Sequence, residues 1–225
     1  LIAAEREARR TDRQRMLLNR LPSSRGRNFV GHDALLERCK RLLNQAHPAH
    51  LLITGQAGIG KSAFAEALIR RWVNDQCISD VIWIDRPQST ASIRELLSAY
   101  LIPEGMQVEL RDVLSRAPQP IVIVCDGCER LLEQESKAID ALLLEGDSAL
   151  YLLTSRRYEA LEHVKTTIEI PRLTFAESYK LLQQTWDGTT DDPITLEDAQ
   201  LLYEHLEGSP DALMTAARRL RVETW

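Results

Sequence analysis

The eight residues GQAGIGKS at 55–62 constrain this chain more than any other stretch. They follow an apolar run at 50–54 and open a helical pattern, which is the strand–loop–helix context of a phosphate-binding loop, or P-loop. The glycines allow the backbone to turn tightly and approach an anion without a Cβ in the way. The loop amides and the positive end of the next helix then face the phosphates. The alternative is a glycine-rich turn before a helix, and the full motif favours nucleotide binding.

The P-loop residues have distinct predicted roles. Lys61 is expected to reach the β- and γ-phosphates, and the Ser62 hydroxyl is expected to ligate Mg²⁺. The predicted nucleotide-binding positions of this stretch are Gly55, Gly58, Ile59, Gly60, Lys61, Ser62 and Ala63.

The most β-rich run of the sequence, residues 121–126, ends in the carboxylate of Asp126. An apolar strand ending in aspartate suits Mg²⁺ coordination opposite a P-loop, so Asp126 is the second predicted metal ligand. The alternative is an aspartate that caps a turn. Glu129, three residues on, is a candidate for polarising an attacking water, and the alternative for it is a surface turn residue.

Residues 149–156 form another predicted buried strand, which ends in Thr154, Ser155 and Arg156. These side chains would lie at the carboxyl edge of the sheet, where α/β folds bind ligands. Arg156 is a candidate for contacting a γ-phosphate by charge-assisted hydrogen bonds. The alternative is an arginine that is solvated in a loop.

Composition restricts the possible classes of protein. With 225 residues, of which 44% are hydrophobic and 27% charged, the chain suits one α/β domain with a small helical appendage. The net charge of −5 argues against a general nucleic-acid binder. No apolar run is long enough to cross a bilayer and no signal peptide is visible, so a cytoplasmic location with reduced thiols is expected. Cys125 and Cys128 have CxxC spacing. This spacing could belong to half of a zinc site or to a redox pair, or it could be a coincidence. Coincidence is favoured, since no second pair of Cys or His residues has matching spacing.

The chain divides into three predicted parts. Residues 1–27 form a basic lead-in, interpreted as a solvated helix and linker with a hinge at 22–26; a nucleic-acid arm is the alternative. Residues 28–171 form the nucleotide-binding domain. Residues 172–225 form a subdomain of capped helices, in which Pro210 either lies over a bound base or merely punctuates helices. Because the first residue is Leu1 and not methionine, we expect a piece of a larger protein.

Together these signals resemble the NB-ARC branch of the STAND signal-transduction ATPases, which are related to AAA+ proteins. The resemblance covers residues 29–220 in the expected order. Residues 29–33 resemble the hhGRE motif, with His32 replacing arginine, and residues 208–213 resemble GLPLAL, with Asp211 replacing leucine. The other matching stretches are Walker A at 55–62, the vlWv strand at 81–85, Walker B at 121–126, the TTR sensor at 154–156 and the pL…EA motif at 170–177.

The resemblance implies the fold and the ligand. The fold would be that of a P-loop NTPase, with a parallel five-stranded sheet of order 5-1-4-3-2 flanked by helices, plus a small ARC1-like helical subdomain. ATP or ADP with Mg²⁺ would lie between the sheet and this subdomain. Val30 and Gly31 would contact the adenine by main chain, and Pro210 would pack on it. The winged-helix and sensor domains, and any effector domain, would lie outside this chain.

The predicted function is the nucleotide-binding core of a molecular switch, closed with ADP and self-associating after exchange for ATP. Hydrolysis would be slow, with Lys61, Asp126, Glu129 and Arg156 as the catalytic set. A steadily turning-over AAA+ motor or loader is the alternative, although it would want a glutamate where Gly127 stands. A transcription regulator with the same core, or a degenerate scaffold, are further alternatives; the intact P-loop and Walker B residues argue against the scaffold. Neither a membrane nor a nucleic acid is an expected partner.

Overall fold

The computed structural model describes residues 2–22, 29–41, 50–118, 120–146, 148–158, 160–186 and 194–223. Most of the predicted hinge at 22–26 therefore lies outside the described residues. The helices are α1 Ile2–Asn19, α2 Asp33–Lys40, α3 Lys61–Asn74, α4 Thr90–Leu101, α5 Leu110–Arg116, α6 Glu129–Glu145, α7 Phe175–Trp186, α8 Leu196–Leu206 and α9 Pro210–Glu223. The strands are β1 Leu51–Thr54, β2 Asp80–Asp85, β3 Ile121–Asp126, β4 Leu150–Ser155 and β5 Thr166–Glu169.

The described strands form one parallel sheet in the order β2-β3-β4-β1-β5, which confirms the predicted order 5-1-4-3-2. The register aligns Thr54 with Ser155 on one side and with Glu169 on the other. Asp85 and Asp126 are likewise aligned at the ends of β2 and β3. The strand ends that carry the predicted site residues therefore meet at one carboxyl edge of the sheet.

Helices cover both faces of the sheet, because its central strands are apolar up to the polar residues at their carboxyl ends. Every residue of β1, β3 and β4 is buried, as is typical of parallel strands between two helical layers. On one face, Phe64, Leu68 and Trp72 of α3 pack against the sheet. On the other face, Leu97 of α4 and Leu142 of α6 do so. The sheet therefore has a hydrophobic core on each of its faces.

The basic lead-in forms a helix over Ile2–Asn19, but its C-terminal half is docked on the domain and is less solvated than the sequence predicted. Leu17 and Leu21, which are four residues apart, are buried in the same core as α3. Arg13 Nη2 donates a 2.8 Å hydrogen bond to the Ser79 carbonyl, and Arg20 forms an ion pair with Asp80. A short apolar stripe within a charged helix is sufficient to dock its C-terminal half. This part of α1 is therefore integral to the domain.

The helices after Pro171 form their own small core around Leu182, Ala199 and Leu213. The Thr174–Glu177 capping box is present, since the Glu177 amide donates to Thr174 Oγ1 at 3.3 Å and Glu177 Oε2 accepts from the Thr174 amide at 2.8 Å. Within the described ranges, no helix has the length and apolarity needed to cross a membrane.

The CxxC pair is part of the core. Cys125 and Cys128 are free, buried thiols, and Cys128 Sγ donates to the Cys125 carbonyl at 3.1 Å. Interaction with the Cys125 side chain and burial raise the pKa of Cys128 well above its usual value. Across the part of the chain that the structure describes, no cluster of three or more His, Cys, Asp or Glu side chains could hold a metal. The pair is thus structural here.

Candidate functional site

The P-loop connects the end of β1 to the start of α3. Gly58 and Gly60 have φ values of 75° and 97°, in the left-handed region that favours glycine. Gly60 is the N-cap of α3 and has no side chain with which to cap it. The amides of Lys61, Ser62 and Ala63 therefore have no partner within the helix and point towards its N-terminal end. This cradle of amides at a positive helix end fits a phosphate group.

The Lys61 ammonium lies inside the curl of the P-loop. Its Nζ donates hydrogen bonds of 2.8 Å to the Gly55 carbonyl and 2.9 Å to the Gln56 carbonyl. Burial lowers the pKa of Lys61, which Glu129 and Asp126 oppose and Arg156 reinforces. A cation held by neutral carbonyls in a polar cradle is suited to an anionic ligand.

Ser62 and Asp126, the two predicted metal ligands, are in direct contact. Ser62 Oγ donates a 2.8 Å hydrogen bond to Asp126 Oδ1, although the residues are 64 positions apart. Asp126 is only 4% exposed. A hydroxyl and a buried carboxylate at this separation fit the first coordination sphere of a hard cation such as Mg²⁺, which takes few protein ligands alongside phosphates and waters.

Thr154 supports Asp126 from the neighbouring strand. Its Oγ1 donates a 2.6 Å hydrogen bond to Asp126 Oδ1 and accepts one of 2.8 Å from the Gly127 amide. The predicted strand order makes β3 and β4 neighbours, so this contact could have been predicted from the sequence. The prediction placed Thr154 only at the carboxyl edge of the sheet. The result is a carboxylate with a fixed orientation.

Glu129 and Arg156 pair with each other at the carboxyl edge. Arg156 Nε lies 3.2 Å from Glu129 Oε1, and the two side chains are 65% and 29% exposed respectively. An ion pair this exposed contributes little to stability, so either side chain can exchange its partner at low cost. Glu129 raises the pKa of Lys61 and Arg156 lowers it, so both charges lie near the P-loop lysine.

The 29–33 segment lies on the first turn of α3. The rings of Phe29 and His32 are 5.9 and 6.4 Å from that of Phe64, and Val30 is buried. Gly31 has a φ of 87°. The main chain of Val30 and Gly31 is thus held beside the P-loop helix, while its contact with adenine stays a prediction.

The start of α9 touches the P-loop. The Asp211 amide donates a 3.3 Å hydrogen bond to the Gly58 carbonyl, and Pro210 Cγ is 4.0 Å from where a Cβ on Gly60 would be. Arg172 Nη2 also donates to Gln56 Oε1 at 3.3 Å. The family resemblance placed Pro210 at the base but assigned no role to Arg172 or Asp211, since no local pattern indicates that they contact the P-loop.

Residues 49–183, more than half of the chain, match the model of the NACHT domain family. No curated protein matches the sequence significantly. Among solved structures, Cdc6p from Pyrobaculum aerophilum is similar at 14% identity and a TM-score of 0.62, covering 88% of this chain and 65% of that one. A RuvB structure from Thermotoga maritima has 14% identity and a TM-score of 0.58, covering 86% and 63%.

A STAND protein with a tetratricopeptide repeat sensor, from Pyrococcus horikoshii, is similar at 17% identity and a TM-score of 0.54. The match covers 84% of this chain and 29% of that protein. This chain therefore spans less than two thirds of each of these three structures. At such low identity the likeness concerns the fold, and it confirms the predicted P-loop NTPase architecture.

Proposed function

Since this chain belongs to the NACHT domain family, within the STAND class of P-loop NTPases, we propose that it is the nucleotide-binding core of an ATP- and ADP-dependent switch. The observation that carries the proposal is the 2.8 Å contact between the Ser62 hydroxyl and the Asp126 carboxylate beside the P-loop. The finer NB-ARC assignment, which rests on the motifs at 29–33 and 208–213, stays a prediction.

In this proposal each part of the site has one task. Lys61 and the amides that begin α3 hold the phosphates, and Ser62 and Asp126 hold Mg²⁺. Bound Mg²⁺ supplies positive charge that neutralises phosphate oxygens. The main chain of Val30 and Gly31 and the ring of Pro210 flank the base.

A switch requires that ATP and ADP differ in affinity for two conformations. The Arg156–Glu129 pair supports such a difference, because a γ-phosphate would compete with Glu129 for the guanidinium. Glu129, once released, would orient a water for slow hydrolysis that resets the switch. The ATP form would self-associate and act through sensor and effector domains of the full protein, in the cytoplasm.

Gly127 favours a switch over a steadily turning-over motor. Its φ is 76°, and a Cβ there would lie 3.2 Å from Arg86 Cγ. A glutamate directly after Asp126, which a motor would use to activate water, would therefore be strained at this position. The structures of RuvB and Cdc6p share the fold, but a shared fold does not imply a shared function.

The test is nucleotide binding measured by isothermal titration calorimetry with Mg²⁺. Wild-type protein should bind both ATP and ADP, and Lys61→Ala should weaken both by at least about tenfold, since it removes a charged hydrogen-bond donor to phosphate. Lys40→Ala is the matched control, because Lys40 pairs with Asp75 at 2.7 Å on the surface. Unchanged affinity in Lys61→Ala would refute the proposal.

A further inference from the structure

One carboxylate joins the helical subdomain to the 29–33 segment. Glu177 Oε2 accepts hydrogen bonds of 2.8 Å from both the amide and the hydroxyl of Thr174. Glu177 Oε1 accepts a 2.8 Å hydrogen bond from the amide of His32, which lies 145 residues earlier. The side chain that caps α7 therefore also holds the main chain of the 29–33 segment.

The backbone of the 29–33 segment is shaped around this carboxylate. Gly31 has a φ of 87°, and a Cβ at that position would lie 2.8 Å from Glu177 Oε1 and 3.0 Å from Leu173 Cδ2. His32 follows with a φ of 56°, which is unfavourable for a residue with a side chain. Two successive left-handed residues turn the chain so that the His32 amide meets Glu177. The bond to a charged acceptor compensates for this backbone strain.

We propose that Glu177 is a positioning residue for base recognition, which fixes the main chain of Val30 and Gly31 so that it can contact the purine. This inference rests on the proposed function and deepens it. Without the Glu177 acceptor, no hydrogen bond offsets the backbone strain at His32, and the 29–33 segment samples other conformations. Binding a base would then carry the cost of ordering the segment again.

The phosphate cradle does not depend on this bond. Lys61 bonds to the P-loop carbonyls of Gly55 and Gln56, and Ser62 bonds to Asp126 on β3. Losing the Glu177 acceptor should therefore weaken recognition of the nucleoside and leave recognition of the phosphates unchanged. Glu177 would also make base recognition depend on where the helical subdomain lies, since opening of that subdomain would withdraw the acceptor.

The experiment compares the affinities of ATP and inorganic tripolyphosphate, each with Mg²⁺, by isothermal titration calorimetry. Glu177→Ala should weaken ATP by about tenfold, as expected for loss of one hydrogen bond to a charged group, and leave tripolyphosphate unchanged. Glu177→Gln keeps an oxygen acceptor for the His32 amide and should restore most of the ATP affinity. Thr195→Ala is the matched control, because Thr195 caps α8 through the Asp198 amide at 3.1 Å in the same subdomain.

Equal weakening of both ligands by Glu177→Ala would show a merely structural role and overturn the inference, as would no change in either. Gly31→Ala is a second variant that tests the same contact, since its Cβ would displace the Glu177 carboxylate. Like Glu177→Ala, it should lower the ratio of the affinity for ATP to the affinity for tripolyphosphate. Circular dichroism would establish that each variant is folded. If wild-type protein bound neither ligand, the proposed function itself would be refuted. That outcome differs from the results with Glu177→Ala that would overturn only the role of Glu177.

Discussion

The guanidinium of Arg156 lies 3.2 Å from the carboxylate of Glu129, so the residue predicted to contact a γ-phosphate pairs with the residue predicted to polarise the attacking water. The pair joins the end of β4 to the start of α6. Because Arg156 is exposed and Glu129 is partly exposed, the pair is an adjustable contact and contributes little to the stability of the fold. Its rearrangement is the step at which the site could distinguish ATP from ADP.

Arg156→Ala should therefore lower the affinity for ATP by about tenfold and leave that for ADP nearly unchanged, because only ATP offers the third phosphate. Calorimetry with both nucleotides measures the ratio. Arg157→Ala is the control, since Arg157 is 76% exposed and lies 3.8 Å from Glu133. Equal losses for the two nucleotides would remove Arg156 as the discriminating group.

Asp126→Asn should abolish the effect of Mg²⁺ on nucleotide affinity, because the amide keeps the oxygen that accepts from Ser62 and Thr154 but loses the charge that a cation needs. The measurement is ATP affinity with Mg²⁺ and with EDTA. Asp85→Asn changes the carboxylate aligned with Asp126 in the next strand and should preserve the Mg²⁺ effect. A full Mg²⁺ effect in Asp126→Asn would contradict the metal assignment.

The stability of the domain should fall in mild acid through His32. Burial lowers the pKa of His32, although Glu177 and Asp33 oppose this. Its Nε2 atom is buried without a hydrogen-bond partner, and its ring packs against the rings of Phe29 and Phe64. A lowered pKa means that the unfolded state binds more protons below about pH 6.5, so the free energy of unfolding decreases as the pH falls through this range.

His32→Asn keeps the backbone amide and tolerates the left-handed conformation, so it tests the imidazole alone. Between pH 7.5 and 5.5, its Tm should fall by on the order of 2 °C less than that of wild type. The two proteins differ only in this side chain, so the difference in pH dependence isolates His32. Identical pH dependence of the two Tm values would show that His32 does not contribute.

Gly208→Ala should destabilise the helical subdomain, where Gly208 approaches the backbone of Leu173. Gly208 has a φ of 69°, and a Cβ there would lie 2.3 Å from the Leu173 carbonyl oxygen. The expected loss in the free energy of unfolding is about 3 kcal/mol or more, because backbone atoms would have to shift. Gly105→Ala is the matched control, since its φ is 82° but no atom lies within 4 Å of the new Cβ. That variant should lose only the strain of about 1–2 kcal/mol, as measured by urea unfolding.

Glu177 contributes a separate acid dependence at lower pH. Burial raises the pKa of its carboxyl, but the hydrogen bonds from Thr174 and His32 together outweigh this and lower it overall. The stability from these bonds is therefore present above the ordinary glutamate pKa and is lost as the pH falls through the lower folded value. This pH range lies below the range in which protonation of His32 lowers stability, so the two effects on stability can be separated.

The sequence by itself determined the P-loop, the apolar strands, the capping of α7 and, through family resemblance, the order of the sheet. These features depend on glycine conformations, hydrophobic patterning and cap residues, which act over a few neighbouring positions. Tertiary structure alone decided that α1 docks through Leu17, that Arg156 pairs with Glu129 and that Glu177 holds the His32 amide. Those contacts join residues far apart in the chain, and their geometry depends on how whole elements pack, which local patterns do not specify.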